Sequence, residues 1–105
     1  MKISEADFTR QLIDLAHLTG WRAAHFRPAQ TARGWRTPMS GDIGYPDLTL
    51  AKGGRLIVAE LKAEGGSATP EQVAWLHAIH GDDWRDWVWR PRDLPRIHAL
   101  LKEGP

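Results

Sequence analysis

The stretch GYPDLTLAKGGRLIVAELK, residues 44–62, sets Asp47, Glu60 and Lys62 among residues that otherwise read as two strands joined by a turn. Gly53 and Gly54 suit the central positions of a two-residue hairpin turn, which needs positive φ. With those two at the turn, Lys52 faces Arg55, Leu50 faces Ile57 and Asp47 faces Glu60. Opposed residues share a face of the sheet with Cβ atoms about 4.5–5.5 Å apart, so two carboxylates come side by side. Lys62, two residues beyond Glu60, lies on that same face. Opposed carboxylates repel unless a cation stands between them. Mg²⁺ or Mn²⁺ is the expected cofactor, since Mg²⁺ is commonly held by one or two carboxylates with waters and phosphate oxygens completing its sphere. An ammonium beside it offsets charge building on a phosphate. The chemistry this set suits is metal-assisted phosphodiester hydrolysis. The plainer reading makes Asp47 a turn residue after Pro46 and pairs Glu60 with Lys62 along the strand. The register decides between them, because a three-residue loop or a bulge would send Asp47 to the opposite face.

The elements that must position these residues follow from pattern. Ser4 with Asp7 resembles a capping box, and Phe8, Leu12 and Leu15 recur at helical spacing up to Gly20, so a first helix is expected over 4–19. Residues 21–27 read as a strand ended by Pro28. Residues 28–46 are rich in Pro, Gly, Ser and Thr and have no periodic pattern, which reads as a long loop. Strands follow over 47–51 and 55–62, the second nearly all apolar before its last charges, as expected of a central strand covered on both faces. Thr69, Pro70 and Gln72 mark a helix start, and that helix should end near Gly81. Residues 86–90 read as a further strand, and Asp93 can cap a last helix carrying Leu94, Ile97 and Leu101. The order is αβββαβα. Residues 55–90 should form a right-handed crossover, giving an α/β fold with a mixed sheet of about four strands flanked by helices. The 105 residues are expected to form a single domain.

Composition narrows the class. No apolar run approaches the ~20 residues of a membrane span and no signal-peptide core opens the chain, so a cytoplasmic protein is expected. The absence of cysteine excludes disulfides and thiolate metal sites. A net charge of +1 does not announce a nucleic-acid binder, but Arg22, Arg27, Arg33 and Arg36 form a basic strip without an acid. Such a strip can hold phosphate, or be a solvated loop. Trp35 in the same stretch could stack on an unpaired base or pack on its own domain. His25, two residues before Arg27, could face the acidic pair from a neighbouring strand. His77 and His80, followed by Asp82 and Asp83, have spacing for a metal on one helix face, but no zincin glutamate follows, and histidines are favoured at a helix C-terminus by dipole alone. Trp75, Trp87 and Trp89 read as core.

Pro46-Asp47 followed by Glu60-Leu61-Lys62 resembles the PD-(D/E)XK nuclease signature. The wider set SEADFTRQLIDLA, GYPDLTL, VAELK, TPEQVAWL and VWRP resembles the VRR-NUC family, the virus-type replication and repair nucleases, over nearly the whole chain. The resemblance implies a restriction-endonuclease-like core in which Asp47, Glu60 and the Leu61 carbonyl hold the metal and Lys62 is catalytic. It implies that Gln72 lies near the active site, a role compatible with capping alongside Thr69. It also implies that Glu5, which shares a helix face with Phe8 and Leu12, completes the metal sphere. The long loop is a departure from compact relatives, and Arg27, Arg33, Arg36 and His25 are the candidate DNA contacts by their charge and placement. The implied substrate is branched DNA, such as a Holliday junction or a flap, in phage or bacterial replication and repair. A two-fold symmetric junction would call for a homodimer. The alternatives are a non-selective nuclease and a catalytically weak DNA-binding module derived from a nuclease.

Overall fold

The computed structural model describes residues 2–26 and 40–103 in full, and residues 29–31 and 34–36 as backbone. Helix α1 spans Glu5–Leu18, with the Ser4 hydroxyl accepting from the Asp7 N–H at 3.0 Å. The Asp7 carboxylate does not complete a capping box; it pairs with Arg10, one turn on. Strand β1 (Arg22–His25) follows, shorter than the pattern suggested because Trp21 is buried in the core and Phe26 lies past the ladder. Within 28–46, where no periodic structure was expected, β2 (Ala29–Thr31) and β3 (Gly34–Arg36) pair antiparallel as a separate two-stranded ladder. The two intervening residues, Ala32 and Arg33, are not turn formers by type, so sequence offered no hairpin signal there.

Strands β4 (Leu48–Lys52) and β5 (Arg55–Leu61) form the hairpin, with Lys52 opposite Arg55, Leu50 opposite Ile57 and Leu48 opposite Ala59. Gly53 and Gly54 have φ of 54° and 83°, the double positive φ that this turn demands and that a β-carbon would penalise. Helix α2 (Pro70–His80) starts with the capping box of Thr69 and Gln72 and ends at Gly81. A 3₁₀ segment, Gly81–Trp87, then leads into β6 (Val88–Trp89), which lies parallel to β5. The last strand is thus only two residues long, because Asp86 and Trp87 belong to the 3₁₀ segment. A short 3₁₀ turn, Pro91–Asp93, runs directly into α3 (Leu94–Glu103). Asp93 caps by reaching back to the Arg90 N–H at 2.9 Å rather than by standing at the N-cap position.

The four-stranded sheet has the order β1-β4-β5-β6, antiparallel except for its last pair. One face carries Leu48, Leu50, Ile57, Ala59, Leu61 and Trp89, packed with Phe8, Leu12 and Ala16 of α1 and Ile97 and Leu101 of α3. Helix α2 packs on the other face of β5, where Val58 and Glu60 point, with Leu76 fully buried. The sequence of β5 therefore lacks alternation for a physical reason: both its faces are covered. Trp21 donates its indole N–H to the Leu101 carbonyl at 3.0 Å, tying the last helix to the start of β1. Trp89 is core and Trp87 packs against it, but Trp75 is only half-buried, with its indole N–H bonded to the Asp42 carbonyl. Among the described residues no helix is long and apolar enough to cross a membrane.

The segment that delivers Asp47 is pinned at Gly44. Its φ is 94°, and a β-carbon there would lie 2.7 Å from the Glu71 backbone carbon. Positive φ and a backbone neighbour both oppose a side chain. Gly44→Ala should cost about 2 kcal/mol or more in urea or thermal unfolding, whereas Gly41→Ala, which meets no atom within 4 Å, should cost less.

Candidate active site

The observed hairpin register continues past the ladder to bring Asp47 opposite Glu60. The Asp47 N–H donates to Glu60 Oε1 at 3.2 Å, and the Leu61 N–H donates to Asp47 Oδ2 at 3.2 Å. Each acid is thus oriented by a backbone group of the other strand. Lys62 Nζ lies 3.2 Å from Glu60 Oε2, with the lysine side chain 16% exposed and the glutamate 1%. The approach is an ion-pair distance without hydrogen-bond direction, and Oε2 is buried with no hydrogen bond. The Lys62 N–H bonds the Trp89 carbonyl on β6 at 3.0 Å. A trans peptide points its C=O opposite to its N–H, so the Leu61 carbonyl is turned away from β6, toward the Asp47 side.

Burial, and after it the charge and hydrogen bonding of Asp47, push the Glu60 carboxyl up to about 8 from an ordinary 4.5, against the opposing pull of Lys62. The protein alone thus favours a proton on Glu60 at neutral pH. The donor set is all oxygen, Glu60 Oε2 is buried with an ion-pair neighbour but no hydrogen bond, and one lysine cannot neutralise two acids. This set fits a hard divalent cation that keeps several waters. Two carboxylates are what the fold supplies: among the described residues no third Asp, Glu, His or Cys joins them as a metal-holding group.

The other predicted residues fall in different places. Glu5 is exposed at the first residue of α1, while Phe8 and Leu12 one and two turns on are fully buried. The face it shares with them by spacing leads to solvent at the helix end. Gln72 is half-buried in the first turn of α2, its Oε1 accepting from the Thr69 N–H at 2.9 Å and its N–H donating to the Thr69 hydroxyl at 3.2 Å. The structure gives Gln72 its capping role. His25 pairs with Leu48 in the β1–β4 ladder. By alternation it lies on the face opposite Asp47, since Phe26, whose N–H bonds the Asp47 carbonyl at 2.8 Å, is the residue level with that acid. Arg27 and Arg33 lie outside the described residues, and Arg36 ends β3 with only its backbone described.

Spacing did not single out the aromatic residues beside the acids. Phe26, Tyr45 and Trp75 meet edge to face with ring centroids 5.8 and 5.0 Å apart, and the Tyr45 hydroxyl lies 3.2 Å from the Thr49 hydroxyl. Tyr45 lies two residues before Asp47 in the sequence, whereas Phe26 comes level with that acid only through the β1–β4 register. His80 likewise has a structural task. Its Nε2 donates to the Val58 carbonyl at 2.7 Å and its ring stacks on Trp87 at 4.4 Å, 7° from parallel. His77 sits 3.4 Å from Asp82 at the surface. No family model, no curated protein and no solved structure matches this chain.

The Glu60 carboxyl predicts a pH slope of definite sign. Between 4.5 and about 8 the native chain holds a proton that the unfolded chain has lost. Stability contributed by this group is therefore complete below 4.5, falls as pH rises through that window, and levels off above it, a loss on the order of a few kcal/mol. In metal-free urea titrations the Glu60→Gln variant should lose this downward slope and be the more stable protein at pH 8.5. Equal slopes in both proteins would contradict the buried acid.

Proposed function

We propose that the chain is a divalent-metal-dependent DNA endonuclease with a PD-(D/E)XK core of the VRR-NUC kind. The observation that carries the reading is the pairing of half-buried Asp47 with buried Glu60, with Glu60 Oε2 lacking a hydrogen bond beside the Lys62 ammonium. Supporting it are the inward turn of the Leu61 carbonyl and the element order, in which a helix and a parallel strand follow the acid-bearing hairpin. When bound, Mg²⁺ or Mn²⁺ supplies a Lewis acid for a phosphate oxygen and an acidified water.

The chain's own residues do the rest. Asp47 and Glu60 present oxygens from two adjacent strands, and the Leu61 N–H holds the Asp47 carboxylate in place. Glu60 must give up its proton to serve as a ligand. Lys62 stands 3.2 Å from that carboxylate, where its charge offsets the negative charge building on a phosphate as a water oxygen joins phosphorus and the ester oxygen leaves. The substrate in this reading is branched DNA, a Holliday junction or a flap, in phage or bacterial replication and repair. A junction with two-fold symmetry would be resolved by a homodimer carrying two such sites.

The test is cleavage of end-labelled four-way junction, 5′ flap, duplex and single-stranded DNA in Mg²⁺ and Mn²⁺. Lys62→Ala should cut at least about a hundredfold more slowly than the wild type. Failure of every substrate with both metals, in a folded protein, would reject the nuclease reading in favour of a DNA-binding module. Metal binding has its own signature: Mn²⁺ should raise the melting temperature of the wild type more at pH 8 than at pH 6, because the ion must displace the Glu60 proton. That rise should vanish in Asp47→Ala.

A further inference from the structure

A cleft of about 310 Å³ opens on the Glu60 side of the sheet, between the segment after β5, the first turns of α2 and the 3₁₀ segment. Its lining includes Ser67, Val73, Trp84, Arg85, Val88 and Arg90, and no acid. Val88 is the register partner of Glu60 on the neighbouring strand. In a parallel pair, partners point to the same face about 4.8 Å apart, so the cleft begins one strand spacing from Glu60 and two from Asp47. Arg90 continues extended from β6, with φ −124° and ψ 162°, and so comes level with Lys62 on that face. Its guanidinium also bonds the Gly66 carbonyl, which fixes the cleft's rim. Within the 3₁₀ segment the Arg85 guanidinium lies over the Trp84 ring, 4.4 Å from its centroid.

These features combine an apolar floor, an aromatic ring, two guanidinium groups and a hydroxyl within a volume at the small end of ligand clefts. A stacked base pair cannot enter such a space, because a duplex offers only its groove edges and backbone. A single nucleotide whose base has left the stack can, with its ring against Trp84, Val73 and Val88 and its phosphate toward Arg85, Arg90 and Ser67. The charge agrees, since two arginines and no carboxylate line the cavity. We propose that this cleft receives one unstacked nucleotide of a single-stranded segment, next to the phosphate presented to Asp47, Glu60 and Lys62. The inference rests on the nuclease reading for the identity of that neighbouring phosphate. It makes unpaired character beside the cut, rather than base sequence, the quality that selects a substrate.

The experiment is binding of a fluorescently labelled 12-nucleotide single strand and of the matching blunt duplex to the whole chain in chelator, where no cleavage occurs. The wild type should prefer the single strand. Trp84→Ala and Arg85→Ala should each weaken single-strand binding about tenfold, and Trp84→Phe, which keeps a stacking ring, should restore most of it. Duplex binding should change less than about twofold. Circular dichroism melting identifies any variant that fails to fold, and exposed Arg85 is the safeguard if Trp84→Ala does. Single-strand binding unaltered in folded Trp84→Ala and Arg85→Ala would overturn the cleft assignment while leaving metal-dependent cutting by Lys62 intact. Single-strand binding that depends on Trp84 and Arg85, in a protein that cuts nothing with either metal, would uphold the cleft and reject the nuclease reading. Absence of any preference for the single strand in the wild type would also overturn the proposal.

Discussion

Everything at the candidate site depends on the pairing register of one hairpin. Gly53 and Gly54 both take positive φ, which leaves a two-residue turn as the connection between β4 and β5 and fixes every pair behind it. A slip by one residue would turn Asp47 to the opposite face and place the apolar set of β4 against α2. The hydrophobic effect guards against that slip, because Leu48 and Leu50 are fully buried against α1 and α3 only in the observed register. The same burial energy that stabilises the fold therefore places the two carboxylates together, at a local electrostatic cost. That cost falls on Glu60, the one charged side chain buried in a strand whose other buried positions are apolar.

Apart from Glu60 Oε2, which lacks a hydrogen bond, the acids and the segments around them are closely tied. Backbone N–H groups of Asp47 and Leu61 each serve the acid of the other strand. Pro46 is fully buried, and Gly44 passes within van der Waals reach of α2, so the approach to Asp47 has little freedom. Helix α2 is anchored at its start by the Thr69 and Gln72 capping box and near its end by His80 on the Val58 carbonyl. A buried acid is thus enclosed by elements fixed at both ends, which holds its carboxylate oxygens in one geometry.

Much of this was legible in the sequence because it rests on short-range rules. The double glycine, the Thr69-Pro70 helix start, Gly20 after α1 and the crossover implied by strand, helix, strand each have one favoured solution. What was not legible rests on long-range contacts. Residues 86–90 alternate as a strand would, yet Trp87 is drawn into the 3₁₀ segment, where it stacks on His80 from another element. Trp75 reads as core because α2 is apolar nearly all round, and only the fold shows that Leu76 takes the buried position while Trp75 bonds Asp42. Glu5 follows the core face by spacing, but spacing does not tell where a helix outruns the sheet it packs on. The cleft beside Glu60 could not be read either, since Arg90 and Val88 join it through the register of β6, which no local pattern specifies.

The 3₁₀ segment Gly81–Trp87 has a consequence for the order in which the molecule opens. Seven residues is long for such a helix, whose hydrogen bonds are poorer in geometry than those of an α-helix, and it contains no fully buried side chain. It is anchored near its end, by Trp87 against His80 and Trp89 and by the Asp86 carbonyl, which accepts from the Trp89 indole at 3.1 Å and the Arg96 guanidinium at 3.3 Å. The central hairpin, by contrast, is held by a full ladder of paired residues, with β5 covered on both faces. Amide protons of the 3₁₀ segment are expected to exchange through local opening, ahead of those in the β4–β5 ladder. The wall carrying Trp84 and Arg85 therefore stands on the more weakly bonded backbone of the two, where a local opening would leave the β4–β5 ladder paired.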